Sequence, residues 1–261
     1  MFATDFLFDG QRASDFGLII CSLDGGVETA SGGEIEFNVV KTPNRDRFTF
    51  YDSQFNTVLE WNFTIMKNYC YDSNYYFNQY EESRIAKWLI KTDGYRQFQF
   101  DQEGYEDIIY NVYINVSPHQ IGGKTIGFDL TVTSDCAYGF TNLITQKATI
   151  NSSTFYKFMI NSDINTYIMP IIKINGNGNF YISNDRDLSQ NIDNEGESRF
   201  ENIENEIIMD SDNDIISGLN SPNDFNWYFL RLVDGENIIS TDSESDISLE
   251  IQYREPRRVI V

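Results

Sequence analysis

Apolar and polar residues alternate along much of the chain. Leu59, Trp61, Phe63 and Ile65 occupy every second position, with Glu60, Asn62 and Thr64 between them. That is the period of a strand with one buried and one wet face. Ile108, Tyr110, Val112, Ile114 and Val116 repeat it, as do Ile126, Phe128, Leu130 and Val132. Gly122-Gly123 between these two runs predicts a hairpin. Phe6 and Phe8 open a short strand closed by Asp9-Gly10, and Phe16 to Cys21 reads as a short buried strand. Asp24-Gly25-Gly26 and Ser31-Gly32-Gly33 bracket a loop before a strand at about Glu34 to Val40. The polar stretch Lys41 to Asn56 reads as a connection.

One segment changes period. From Phe77 to Lys91 the residues Phe77, Tyr80, Ile85, Trp88 and Leu89 recur at helical spacing, with Glu81, Glu82, Arg84 and Lys87 opposite. Asp93-Gly94 is the expected glycine stop. The alternation lapses around Ala137 to Lys147, which sets a boundary between domains 1–140 and 141–261. The second half predicts shorter strands at Phe155 to Ile160, Pro170 to Ile174, Phe180 to Ser183, Glu206 to Met209, Trp227 to Val233 and Ile247 to Tyr253. Asn175-Gly176-Asn177-Gly178-Asn179 predicts a hairpin turn, because Asn and Gly tolerate positive φ. Short strands with turn-rich links describe a β-sandwich or jelly roll. The fold class is therefore mainly β with one helix.

Composition sharpens this picture in two places. Of 261 residues 15% are aromatic, which argues against disorder and favours pleated, half-buried surfaces. The formal net charge is −21, so the basic footprint that nucleic-acid binding needs is missing. The same sign disfavours docking on anionic lipid, while DNA could pass such a surface without sticking. The N-terminal MFATDFLFDGQRASDF carries Asp5 and Asp9 and no basic stretch before an apolar one, so no secretory signal is expected. No apolar run approaches the ~18 residues that span a bilayer.

Candidate chemistry is sparse. Cys21, Cys70 and Cys136 are widely spaced and odd in number, without a CxxC, and read as reduced buried thiols. A serine triad would have to use the single histidine, His119, and no GxSxG elbow accompanies it. Asp210-Ser211-Asp212-Asn213-Asp214 starts like a calcium loop, but Ile215 and Ser221 replace the required Gly and Glu. An acidic turn is the plainer reading. No spacing singles out a carboxylate pair for glycoside hydrolysis. Phe225, Trp227 and Phe229 alternate with Asn226, Tyr228 and Leu230. Such a row favours sandwich core, with a sugar-stacking platform at Trp227 as the alternative. No catalytic residue, metal or cofactor is expected, and a structural or binding role is favoured over an enzyme.

The order of these features resembles the distal tail proteins of siphophages along most of the chain. Phe6-Leu7-Phe8-Asp9-Gly10 followed by Ser14-Asp15-Phe16-Gly17-Leu18 is similar to that family's opening, and Ile85-Ala86-Lys87-Trp88-Leu89 to its I-x-x-W-L helix. Pro43-Asn44-Arg45-Asp46 keeps the arginine of its Gly-Arg loop but has Asn44 in place of the glycine. Pro170 to Ile174 with Gly176-Asn177-Gly178 resembles its P-x-I-x-I-x-G-x-G strand. Asn226-Trp227-Tyr228-Phe229-Leu230 through Gly235-Glu236-Asn237 resembles its W-x-x-L-x-x-G-x-N turn. Ile251 to Arg257 resembles its Y-R-x-P-R end.

The resemblance implies an N-terminal, tail-tube-like belt domain that closes into a hexameric ring around the DNA channel. It also implies a C-terminal galectin-like or carbohydrate-module-like sandwich pointing outward. Its implied partners are further copies of itself, the tail tube protein, a tail-tip or tail-associated protein and a receptor-binding protein. DNA would pass without being bound, no membrane would be involved, and the place would be the distal tail of a virion assembled in the host cytoplasm. The loop Lys41 to Asn56 and the hairpin tip Ser117 to Lys124 are the expected ring contacts, through Pro43, Arg45, Arg47, Phe48, His119 and Lys124. Trp227 is the candidate glycan contact. The alternatives are a glycan-binding sandwich for host-surface adhesion and a related tail-tube or tail-tip component.

Overall fold

The computed structural model describes residues 3–21, 29–41, 43, 46–68, 75–104, 107–187 and 196–259. Asp24-Gly25-Gly26, Asn44, Arg45 and Cys70 lie outside the described residues. The chain splits into two compact units, Met1–Phe140 with Val259–Val261, and Thr141–Arg258. The first contains β1 (Asp5–Phe8), β2 (Gln11–Arg12), β3 (Leu18–Cys21), β4 (Thr29–Ser31), β5 (Ile35–Lys41) and β6 (Phe48–Phe55). It continues with β7 (Glu60–Lys67), α1 (Gln79–Leu89), β8 (Arg96–Asp101), β9 (Tyr110–Ile121), β10 (Lys124–Ser134) and β11 (Gly139–Phe140).

Eight strands form one sheet in the order β2-β1-β8-β9-β10-β7-β3, with β4 also on β7. Antiparallel register explains its single apolar face. Ile65 opposes Phe128, Phe63 opposes Leu130 and Trp61 opposes Val132, while Val132 opposes Ile114 on the far side. Directly opposed residues share a face, so the alternation seen along each strand becomes an apolar layer across all of them. Gly122 and Gly123 turn β9 into β10 with φ of 59° and 75°, the conformation a two-residue hairpin needs.

Helix α1 covers that layer. Asn78 caps it, accepting from the N–H groups of Tyr80 and Glu81 at 3.0 Å, and the Glu81 carboxylate accepts from the Asn78 N–H in return. Glu81 also receives the Lys67 ammonium of β7 at 2.8 Å, and that lysine is almost fully buried. Further along, the Trp88 indole lies against Phe16 (centroids 4.3 Å) and Phe6 (5.6 Å) and donates its Nε1–H to the Phe8 carbonyl at 3.1 Å. The helix ends at Ile90, not at the expected glycine. Ile90 is extended and Gly94 follows in a separate bend. Just beyond the helix Lys91 reaches Asp9 near the end of β1, 2.8 Å away.

Three further local expectations change. The strand expected from Phe16 starts at Leu18, after a 3-10 turn at Ala13–Phe16 that Gly17 ends at φ 70°. The loop expected around Ser31 contains β4. Gly32 follows it where a Cβ would lie 1.8 Å from the Val58 carbonyl oxygen, so only glycine fits there. The connection expected from Lys41 to Asn56 contains β6, which pairs with β5 as a separate two-stranded sheet.

The second unit is a β-sandwich. Its strands are β12 (Ile144–Ile150), β13 (Tyr156–Ile160), β14 (Ile171–Asn175), β15 (Gly178–Asn184) and β16 (Glu197–Ile203). They are followed by β17 (Ile207–Asp210), β18 (Ile215–Ser217), β19 (Gly235–Thr241), β20 (Ile247–Tyr253) and β21 (Pro256–Arg257). One sheet runs β12-β20-β14-β17-β18, the other β13-β19-β15-β16. Ile172, Ile174, Leu249 and Ile251 from the first meet Phe158, Ile182, Phe200 and Ile239 from the second in one core.

Two predicted features of this unit are corrected. Asn175 to Asn179 is not a hairpin, because β14 and β15 belong to different sheets. The segment crosses the sandwich, and Gly176 is needed for packing: a Cβ there would meet the Phe180 ring at 3.0 Å and Ile247 at 3.4 Å. The segment expected to be a strand from Trp227 to Val233 is irregular: it forms an isolated bridge at Leu232, opposite Ile168, and is otherwise held by side-chain hydrogen bonds such as Ser198 Oγ to the Tyr228 carbonyl. Trp227 breaks it with a φ of 61°.

Trp88→Ala removes the indole that joins α1 to β1 and the 3-10 turn. It should destabilise the first unit by roughly 3–5 kcal/mol. Urea or guanidinium unfolding measures this, and a loss below about 1 kcal/mol would contradict the central place given to this side chain.

Candidate functional site

The hairpin β5–β6 is the least covered part of the described structure. Register places Ile35 opposite Phe55, Phe37 opposite Ser53, Val39 opposite Phe50 and Lys41 opposite Phe48. These residues share one face, and Glu36, Asn38, Val40, Thr49, Asp52 and Gln54 share the other. Tyr51 is the extra residue of a bulge between the Asn38 and Val39 pairings. The hairpin is thus amphipathic, yet no described residue of it is buried. Phe37 is 61% exposed, Phe48 63%, Phe50 56% and Tyr51 67%. Phe37 and Phe50 touch each other edge to face at 6.1 Å, and Lys41 lies over the Phe48 ring at 6.0 Å.

The expected ring contacts fall in two places of the first unit. Pro43, Arg47 and Phe48 are exposed and belong to the β5–β6 hairpin; Arg45 lies outside the described residues. His119 and Lys124 belong to the β9–β10 hairpin. His119 Nδ1 lies 3.1 Å from Asp129 Oδ2, and Lys124 Nζ sits 4.1 Å from the centre of the Tyr76 ring. Both are therefore held against their own protomer. Reading Lys41 to Asn56 as a plain loop missed the apolar face of β6. The Phe48-Thr49-Phe50 alternation marked it, and the bulge at Tyr51 then broke the period.

The other side of the large sheet is polar. Thr64 Oγ1 donates to Asp129 at 2.7 Å, Thr131 Oγ1 to Asn62 at 2.7 Å, and Asn111 Nδ2 to Asp135 at 2.9 Å. Hydroxyls and amides supply most of this face, with Glu60 and Asp129 among its charges.

Catalytic and metal chemistry gains little support. Among the described residues no group of three or more His, Cys, Asp or Glu is placed to hold a metal. In the Asp210 turn the carboxylate serves the turn itself, accepting from the Asp212 and Asn213 N–H groups at 3.1 and 3.2 Å and from Asn213 Nδ2 at 2.9 Å. Cys21 and Cys136 are half-buried. Burial, with help from Asp129, pushes the Cys21 thiol up to about 11, and burial with Asp135 pushes Cys136 up to about 12. Neutral thiols at neutral pH are poor nucleophiles. Trp227 of the second unit is 56% exposed, so it is not core; Phe225 beside it is.

The two thiols should react with iodoacetamide far more slowly at pH 8 in the folded chain than in the denatured one. The folded rates should climb as pH rises towards 11. Equal rates at pH 8, read by mass spectrometry at each cysteine, would contradict the burial account. Phe37→Ser with Phe50→Ser should shift the stability of the dilute protomer by no more than about 1 kcal/mol, since exposed cross-strand pairs contribute little. A loss of several kcal/mol in thermal melts would mean that the hairpin is packed.

Comparison with known proteins bears on this surface. Residues 1–136 match the family model of a phage tail protein N-terminal domain, and residues 138–253 that of a phage tail C-terminal domain. No curated protein matches the sequence. Among solved structures, the Dit protein of phage SPP1 superposes with a TM-score of 0.60 at 9% identity, covering 97% of this chain and 98% of that one. It is described as a paradigm of the hub adsorption apparatus in phages infecting Gram-positive bacteria. At this identity the likeness is one of fold.

Proposed function

Because the chain belongs to a family of phage tail proteins, we propose that it is the hub of a siphophage tail tip. In this reading copies close into a hexameric ring at the distal end of the tail. The ring joins the tail tube protein to the tail-tip and receptor-binding components and lets DNA through its channel. The role is structural, and assembly takes place in the host cytoplasm.

The apolar face of the β5–β6 hairpin carries the proposal. A two-stranded hairpin is marginal in water by itself. One that shows Phe37, Phe48 and Phe50 to solvent gains stability once another surface covers them. A neighbouring copy fits this need. Lys41 and Arg47 stand at one end of the hairpin in a chain of net charge −21, so the acidic surface of another copy attracts this end. When one patch docks on a different patch of an identical neighbour, the contact repeats head to tail and closes into a ring if the rotation permits. Pairing also protects the exposed strand edges of the hairpin. The fold shared with the SPP1 Dit protein supports the same assignment. The hydroxyl- and amide-rich face of β7, β9 and β10 suits a channel wall, because it offers DNA no cluster of cations to stop on.

Light scattering on the purified protein, with negative-stain images of the same peak, tests the proposal. A hexamer seen as an annulus is expected, with Phe37→Asp and Phe50→Asp together giving a folded monomer. A wild-type monomer at every concentration, or a variant that assembles as well as wild type, would overturn the hairpin's role.

A further inference from the structure

Helix α1 has a face that covering the sheet does not use. Ile85, Trp88 and Leu89 are buried, and the opposite side shows Tyr80, Ser83, Arg84 and Lys87 to solvent. Residues three, four and seven apart lie on one side of a helix, so these four form a single stripe. Tyr80 is 76% exposed, and Arg84 rests on the Phe16 ring at 4.8 Å. Among the described residues no carboxylate pairs with Arg84 or Lys87. Glu81 is already engaged by Lys67 at 2.8 Å and by the Asn78 N–H at 2.9 Å. Two cations without counter-ions stand out in a chain of net charge −21.

The polar face of the β5–β6 hairpin is the complement. Glu36 opposes Gln54 and Asn38 opposes Asp52, so the two carboxylates stand on a diagonal of the ladder. Both are exposed, and their partners are neutral. Glu36 accepts from Asn56 Nδ2 at 2.8 Å and Asp52 from the Ser53 N–H at 2.7 Å. Val40, 52% exposed, follows on the same face towards the turn. The hairpin therefore reads acid, acid, apolar, and the helix stripe reads apolar, cation, cation. From Tyr80 to Lys87 the helix rises about 10 Å, and from Glu36 to Val40 the strand rises about 13 Å. The long stems of lysine and arginine absorb the difference.

Given the ring proposed above, we infer that α1 of one copy receives the acidic face of the β5–β6 hairpin of the next. Arg84 meets Asp52, Lys87 meets Glu36, and Tyr80 lies beside Val40. Within one copy both faces are open to solvent, so each is free for a neighbour. The charges also select the kind of contact. Two hairpins laid together on this face would oppose carboxylates, and two α1 stripes would oppose cations. Only the unlike pairing joins opposite signs, and an unlike pairing repeats head to tail. Charge of this sort fixes register and partner more than it adds affinity. The apolar face of the same hairpin supplies the affinity, and the α1 stripe sets where the hairpin lands.

Carbodiimide cross-linking of mixed isotope-labelled and unlabelled copies, read by mass spectrometry, tests the contact without any substitution. Mixed-label peptides joining Lys87 to Glu36 or Asp52 are expected. Charge reversal gives the second reading. Arg84→Glu with Lys87→Glu should raise the concentration of half-assembly in light scattering by about tenfold or more. Glu36→Lys with Asp52→Lys should do the same. All four changes together should bring assembly back to within about threefold of wild type. All these positions are exposed, so the dilute variants should melt as wild type does. Absence of the mixed-label peptides, reversals that leave assembly unchanged, or a combined variant that stays dispersed would overturn the α1 contact. Each of these results in a wild type that still forms hexamers leaves the ring reading standing. A wild type that is monomeric at every concentration overturns both.

Discussion

A sheet with one apolar face must lay that face against something, and in the first unit much of the covering passes through Trp88. Its indole bridges Phe16 and Phe6 and its N–H closes on the Phe8 carbonyl. One side chain thus ties α1, β1 and the 3-10 turn together. The capping box at Asn78 and the Lys67–Glu81 pair fix the other end of the helix. Breaking that pair from one side would leave a nearly buried ammonium without its carboxylate, a costly state. With the sheet covered in this way, a sandwich core satisfies the second unit. Among the described residues the β5–β6 hairpin is the amphipathic sheet left most open, with Phe55 against Tyr138 at one end and Phe37, Phe48 and Phe50 exposed, and the functional reading follows from that contrast.

Elements with an unbroken period were legible in the sequence. The strands β7, β9, β10 and β20 alternate cleanly, and α1 shows its apolar stripe. Where the structure departs, buried polar residues or irregular backbone blur the period. In β16 the buried Ser198 donates to the Tyr228 carbonyl. In β19 the buried Asn237 receives the Asn184 amide and donates to the Val233 carbonyl. Such residues read as loop because their partners are distant in sequence. In β6 the bulge at Tyr51 hides the strand. At Asn175 to Asn179 the turn chemistry was read correctly in kind, but the chain uses it to cross between sheets. Local signals do not encode that choice.

The candidate surfaces were legible to different degrees. Pro43, Arg47 and Phe48 drew attention to a segment that was expected to be a plain connection and is a hairpin with an apolar face. Trp227 attracted notice through aromatic alternation, a pattern that favoured core. Its exposure comes from a positive φ held by the Asn226 side chain, and no period reveals a backbone angle. The motifs resembling the distal tail proteins were the strongest pointer, and both family domain models match the chain.

The central claim is that the hairpin's apolar face is covered by another copy. Hydrogen–deuterium exchange over residues 35–41 and 48–55 tests it most directly, comparing the dilute protomer with the assembled particle. Fast exchange in the protomer and strong protection in the assembly are expected for these two strands, with the β7, β9 and β10 amides slow in both. Equal exchange of the hairpin in protomer and assembly would contradict the claim.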